Sequence, residues 1–132
     1  MRTRSLFGFR RIVQKNTYEL PEHVSYQDAA LVEPLACVLR GLEETNVMPG
    51  DSVAVMGLGP IGCMFIRLAK VYGARVLAIG RRQSQLDRAA ELGADEGIIA
   101  ADGVDIVPDI KAMTNGRGVD VAIEAVGHPS AW

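Results

Sequence analysis

The chain has 132 residues, 48% of them hydrophobic, with 14 basic and 16 acidic side chains and a net charge of −2. That length suits one packed core and is short for two, and the slight acidity argues against nucleic-acid binding as the main role. The two cysteines, Cys37 and Cys63, have no CxxC spacing, which excludes a disulfide framework and a four-cysteine zinc site and favours a reducing compartment, by default the cytoplasm.

The first fifteen residues carry Arg2, Arg4, Arg10, Arg11 and Lys15, with no acid before Glu19. Such a start reads as a solvated basic arm, with an organelle-targeting segment as the alternative. A short alternating stretch, residues 11–15, has the pattern of a strand. Composition then shifts near Pro21, so residues 1–20 are expected to be an arm or remnant and 21–132 the main domain.

Ser25 followed by Asp28 resembles a capping box at the start of a helix. Ala29, Ala30, Leu31, Leu35, Ala36, Val38, Leu39 and Leu42 predict a helix that is apolar over most of its surface. Pro34 lies inside that run and predicts a kink or a break into two pieces. Met48-Pro49-Gly50-Asp51 is turn chemistry.

From there strands and helices alternate. Residues 52–56 predict a strand, 60–72 a helix and 75–79 a second strand. Ser84 is expected to open the next helix, with Asp87 as its capping partner and Gly93 as its stop. Residues 96–100 predict a weak third strand, 105–115 a helix despite Pro108, and 119–123 a fourth strand. The strands are continuous apolar runs, as a parallel sheet covered on both faces requires. The predicted fold class is therefore α/β, a doubly wound parallel sheet of about four strands. The longest run free of charge, Ser52 to Ile66, is interrupted by glycines and Pro60 and is shorter than the ~18 apolar residues of a membrane span.

Between the first of those strands and its helix lies Gly57-Leu58-Gly59-Pro60-Ile61-Gly62, the GxGxxG pattern in its meaningful context. The first glycine permits a tight turn, the second lets backbone approach a pyrophosphate, and the third lets helix pack on strand. The helix start adds free amides and a positive dipole end, and Pro60 fits there because its missing amide would have been unpaired. Glycine turns made only for packing, and the similar loop of methyltransferases, are the alternatives.

The second strand bears on which dinucleotide is bound. NAD-preferring chains usually end it with an acid for the ribose 2′-hydroxyl; here it ends Ile79-Gly80-Arg81-Arg82. Two guanidiniums suit a 2′-phosphate, so NADP is favoured over NAD. A solvated arginine pair is the plainer reading.

Several segments together resemble the zinc-containing medium-chain alcohol dehydrogenases, and most closely their polyol and threonine dehydrogenase branch. They are Leu31-Val-Glu33-Pro34-Leu-Ala-Cys37, Met48-Pro-Gly50-Asp51, the glycine loop, Ala69-Lys70 with Gly73-Ala74, Glu91-Leu-Gly93-Ala94-Asp95, and the stretch from Gly118 through Asp120 and Glu124 to Gly127. The resemblance runs from about Arg11 to Gly127.

It implies a Rossmann-type fold with strand order 3-2-1-4 and hydride transfer between a secondary alcohol and a nicotinamide. A zinc ion in the full-length protein would polarise the alcohol oxygen. Glu33 matches the position of a carboxylate at that zinc, directly or through water, and is the catalytic and metal candidate; an acid on a solvated helix face is its plainer reading. Val126 and Gly127 match the turn that meets the nicotinamide end.

Cys37 and Cys63 read as core residues, and His23 and His128 belong to no constellation. The family's catalytic domain, with most of its zinc ligands, has no counterpart here. The chain is thus expected to be a partial cofactor domain with a short catalytic-domain remnant, inactive alone. The fourth strand becomes an exposed edge, which predicts a homo-oligomer or poor solubility. A stand-alone nucleotide-binding module and a zinc-free reductase of the same superfamily are the alternative functions. The expected partner is a small alcohol or polyol, with no nucleic acid and no membrane.

Overall fold

A computed structural model describes residues 3–5, 8–10, 17–101 and 103–127. The expected strand at 11–15 and His128 lie outside them. The chain divides into two compact units, Met1–Val32 and Glu33–Trp132. That division falls later than the composition shift at Pro21.

In the first unit, β1 (Thr3–Ser5) pairs antiparallel with β2 (Gly8–Arg10), in register Arg4 to Phe9. Neither strand is legible from the residue pattern. The short helix α1 (Tyr26–Ala29) starts as its sequence predicts, with Ser25 as N-cap accepting the Asp28 amide at 3.1 Å. The Ser25 hydroxyl in turn donates to the Asp28 carboxylate at 2.6 Å. Pro34 produces the break rather than the kink, because the next helix, α2 (Val32–Thr45), begins just before it. In a first turn the missing proline amide costs no hydrogen bond.

The second unit is a four-stranded parallel sheet. β3 (Ser52–Met56) lies between β4 (Arg75–Gly80) and β6 (Val121–Glu124), and β5 (Glu96–Ile99) is the edge beyond β4. Counted within the sheet, that order is 3-2-1-4, as expected. The helices α3 (Pro60–Val71), α4 (Gln83–Glu91) and α5 (Val107–Met113) connect the strands.

Alternation along each strand sends side chains to two cores. Val53, Val55, Val76, Ala78 and Ile123 pack with Leu42 of α2, Ile66 and Ala69 of α3, and Leu86 and Ala89 of α4. Ala54, Ile79 and Ile98 pack on the opposite face with Ile106, Ile110 and Met113 around α5. The fold is therefore a doubly wound α/β sheet, with β3 and β4 almost wholly buried.

Four local expectations are corrected. Helix α4 starts at Gln83 with Arg82 as N-cap and no side-chain cap; Asp87 instead accepts Gln83 Nε2 at 2.9 Å. Helix α5 is shorter than 105–115: Asp105 accepts the Val107 amide at its start, and left-handed Asn115 (φ 53°) lies beyond its end. β6 begins at Val121 instead of residue 119, and Asp120 just before it is held to Ser52 through both its backbone amide and its side chain. Finally, Cys37 is exposed, not core; on α2 only Val38 and Leu42 are buried.

Candidate functional site

The glycine loop leaves the carboxyl end of the central strand, and its three glycines meet three different surroundings. Gly57 has φ +96°, and a β-carbon there would meet Val126 Cγ2 at 2.8 Å and the Ala125 carbonyl at 2.9 Å. A β-carbon on Gly62 would sit 1.8 Å from the Gly57 carbonyl oxygen. Around Gly59 nothing lies within 4 Å. Two glycines are closed by protein and the middle one is open.

Gly59 is also the N-cap of α3, with Pro60 following it and no side-chain cap hydrogen bond. The helix's first-turn amides therefore keep their donor capacity at the positive end of its dipole. Leu58 anchors the loop as a buried residue and lies so close to Gly80 that a β-carbon there would approach its Cδ1 to 2.7 Å. Cys63, half-buried behind the loop, donates to the Leu58 carbonyl at 3.8 Å. It lies behind the loop as expected but is only partly buried and is not one of the buried core residues.

The loop forms one wall of a cleft of about 980 Å³, lined by Met56–Gly59, Ile79–Arg81, Gln85, residues 100–101 and 103–107, Ile110, Ala125 and Val126. Its position follows from topology. The chain proceeds outward from β3 to β4 and β5, then returns across to β6, so the order reverses beside β3. The crevice at the carboxyl ends of the strands at such a reversal is where open α/β sheets bind ligands. Its lining is mainly apolar, with Arg81, Gln85 and Asp105 as the side-chain polar groups.

Arg81 and Arg82 are exposed at the end of β4, and Arg81 lines the cleft. The Arg81 amide donates to Gln85 Oε1 at 3.2 Å, which ties the strand end to the first turn of α4. Gly80 occupies the end of the strand, and Asp87 is turned to Gln83.

Of the residues singled out by sequence, Gly57, Leu58, Gly59, Gly80, Arg81 and Val126 line the cleft. Pro60, Ile61 and Gly62 continue from it into α3, Arg82 caps α4, and Gly127 follows Val126. Glu33 lies apart on the first turn of α2 and is not a lining residue. It accepts the Cys37 thiol at 3.5 Å, and that hydrogen bond, with the carboxylate's charge, raises the thiol's pKa. Among the described residues no group of three or more His, Cys, Asp or Glu is placed to hold a metal.

Two cleft residues, Gln85 and Asp105, escaped sequence reasoning, since they look like ordinary surface residues in the one-dimensional pattern. Glu124, next to the cleft-lining Ala125, carried a signal, an acid ending an otherwise apolar strand, and its Oε1 accepts the amides of Val126 and Gly127.

Comparison with known proteins fits this geometry. The family profile described as zinc-binding dehydrogenase matches residues 60–132. The chain is 37% identical to a sorbitol dehydrogenase of Bacillus subtilis over 119 residues, covering 89% of the chain and 33% of that relative. It is 38% identical to an L-threonine 3-dehydrogenase of Bacillus licheniformis over 120 residues, covering 90% of the chain and 33% of that relative. The solved structure of zinc-dependent alcohol dehydrogenase 2 from Streptococcus pneumonia, in its apo form, superposes with TM-score 0.82 at 34% identity. That match covers 94% of the chain and 36% of the other. The chain thus spans about a third of the length of the relatives it matches.

Proposed function

The chain belongs to the zinc-binding dehydrogenase family, and on that footing we propose that it is the cofactor-binding portion of an alcohol or polyol dehydrogenase that prefers NADP to NAD. The observation that carries the reading is the open face of Gly59 between two closed glycines, at the mouth of the cleft. A dinucleotide's pyrophosphate needs such a gap in the side-chain surface, together with helix amides that have no internal partner. The residues present fit the group.

When bound, the nicotinamide supplies the hydride acceptor or donor. The chain's own contribution is binding and orientation. Gly57, Leu58 and Gly59 shape the turn, and the Ile61 and Gly62 amides at the start of α3 offer donors to the pyrophosphate. Gly80 lets Leu58 pack against the end of β4, while the exposed Arg81 and Arg82 supply guanidiniums for a ribose 2′-phosphate. Val126 and Gly127 form the wall at the nicotinamide end. The cleft's apolar walls exclude water from the ring.

Zinc is a different case. Glu33 is proposed as one oxygen donor to a zinc ion in the whole protein, directly or through water, with a small secondary alcohol or polyol as substrate. The described residues alone offer too few donors to hold the ion.

The test is a paired calorimetric titration of the chain with NADPH and NADH at low salt. NADPH is expected to bind more tightly, and replacing Arg81 and Arg82 together by alanine should remove about tenfold of its affinity while leaving NADH nearly unchanged. Equal binding of both nucleotides by the unmodified chain overturns the arginine assignment. Failure to bind either one overturns the dinucleotide site.

A further inference from the structure

We propose that Glu124 is a positioning residue for the nicotinamide half of the site, acting through the turn Ala125–Gly127 and resting on the dinucleotide reading above. Glu124 ends β6 directly beside Met56, the last residue of β3. The Ala125 amide donates to the Met56 carbonyl at 2.8 Å, which carries the strand pairing one residue further. The chain then turns, and Glu124 Oε1 folds over the turn to accept the amides of both Val126 and Gly127, the latter at 2.7 Å. One carboxylate oxygen therefore fixes two consecutive peptide planes.

The held turn is also a wall of the cleft. Ala125 and Val126 line it, and they are the residues against which a β-carbon on Gly57 would collide. The turn thus lies close against the first residue of the glycine loop, on the side where Gly57 carries no side chain. Gly127 itself has φ +70°, in the left-handed region that favours glycine.

The clamp sets the chemistry of this wall. Hydrogen bonds to a carboxylate are charge-assisted and stronger than neutral ones. With the Val126 and Gly127 amides committed to Glu124, those two donors are not offered to a ligand, and the exposed Val126 lines the cleft. A ligand group meeting this wall is selected for an apolar face. Without the carboxylate, two amide donors are released and the turn loses its fixed orientation. The adenine and pyrophosphate half rests on the glycine loop and β4, so the two halves separate experimentally.

Three variants and two ligands test this. Calorimetry compares ADP, which occupies only the adenine and pyrophosphate half, with NADPH for the unmodified chain and for Glu124→Ala, Glu124→Asp and Glu124→Gln. Glu124→Ala is expected to weaken NADPH about tenfold while ADP affinity stays within about twofold. Glu124→Gln keeps an acceptor oxygen at the same reach and should restore most of the loss. Glu124→Asp keeps the charge but loses a methylene of reach, and it carries the same NADPH-against-ADP comparison if the alanine variant does not fold.

Amide hydrogen exchange adds a ligand-free readout. Protection should fall at Val126 and Gly127 in Glu124→Ala or Glu124→Asp and persist at Val53–Val55. NADPH affinity unchanged in both variants, or NADPH and ADP lost in equal proportion, overturns the proposal. An unmodified chain that binds neither nucleotide removes the dinucleotide reading and this inference together, whereas normal binding with insensitive variants removes this inference alone.

Discussion

The carbonyl oxygen of Gly57 occupies the place that a β-carbon on Gly62 would need, 1.8 Å away, whereas a β-carbon on Gly59 would meet nothing within 4 Å. The same substitution therefore has opposite effects at two positions three residues apart. Gly62→Ala must push the α3 helix off the loop, with a loss of at least ~2 kcal/mol in chemical denaturation and loss of nucleotide binding. Gly59→Ala should fold with near-normal stability and lose nucleotide affinity only, because its methyl group enters the ligand's space. A stable Gly62→Ala chain, or a Gly59→Ala chain that binds ADP normally, would contradict this division.

Across the opposite end of the sheet, Asp120 Oδ2 accepts both the Ser52 amide at 2.8 Å and the Ser52 hydroxyl at 2.7 Å, and its carboxylate is paired with Arg117. The Arg117 guanidinium first, and the Ser52 donors next, hold the Asp120 pKa well below the ordinary carboxylate range. A carboxyl with a depressed folded pKa contributes stability above its unfolded value, about 3.9, and loses it as pH falls toward the folded value. Stability in urea should therefore drop as pH is lowered below about 4. Asp120→Asn keeps an acceptor for the Ser52 amide but removes the charge, so it should be less stable at pH 7 and show a shallower acid slope. Some slope should remain. At Asp95 partial desolvation works against ionisation, but Lys70 and the Val76 amide outweigh it and also lower the pKa. An unchanged acid slope in Asp120→Asn would sink the assignment.

The sheet and its glycine loop were legible because both rest on local rules. Apolar runs between turn signals placed β3 and β4 within a residue, and a β-carbon would collide with protein at Gly57 and Gly62 but meet nothing within 4 Å at Gly59. Helix starts were less legible. Ser84 and Asp87 have the spacing of a cap, but Arg82 adopts the extended backbone that caps α4 and leaves Asp87 to Gln83. Cys37 was misread because a helix apolar all round does not reveal which side has a partner. Glu124 stood out as an acid ending an apolar strand, but it was given no role of its own because its two partners are backbone amides, which no side-chain pattern records.

Leu42 and Leu39 lie on the same helix and differ in what covers them. Leu42 is fully buried against the sheet, while Leu39 is 38% exposed. Leu42→Ala opens a cavity among Val53, Ile66 and their neighbours and should cost ~2–5 kcal/mol. Leu39→Ala should cost about 0.5 kcal/mol in the isolated chain. Guanidinium unfolding of both variants checks the ratio. A large loss at Leu39 would mean that this face of α2 is covered in solution by something the described residues do not supply.

β6 pairs with β3 along one side, and among the described residues no strand pairs with its other side. An edge of unpaired amides and carbonyls in a strand reading Val121-Ala-Ile-Glu124 is a template for a second chain. We therefore expect self-association through this edge, read by light scattering as a mass above the 14.2 kDa of one chain and rising with concentration. Ala122 is exposed, so Ala122→Lys places a charge on the edge strand without disturbing the core. That variant should scatter as a monomer with unchanged unfolding, since lysine on edge strands opposes pairing between chains. A monodisperse monomer in the unmodified chain defeats the expectation. Association that survives Ala122→Lys moves the contact elsewhere, and the exposed apolar side of α2 around Leu35 and Leu39 is then the next surface to charge.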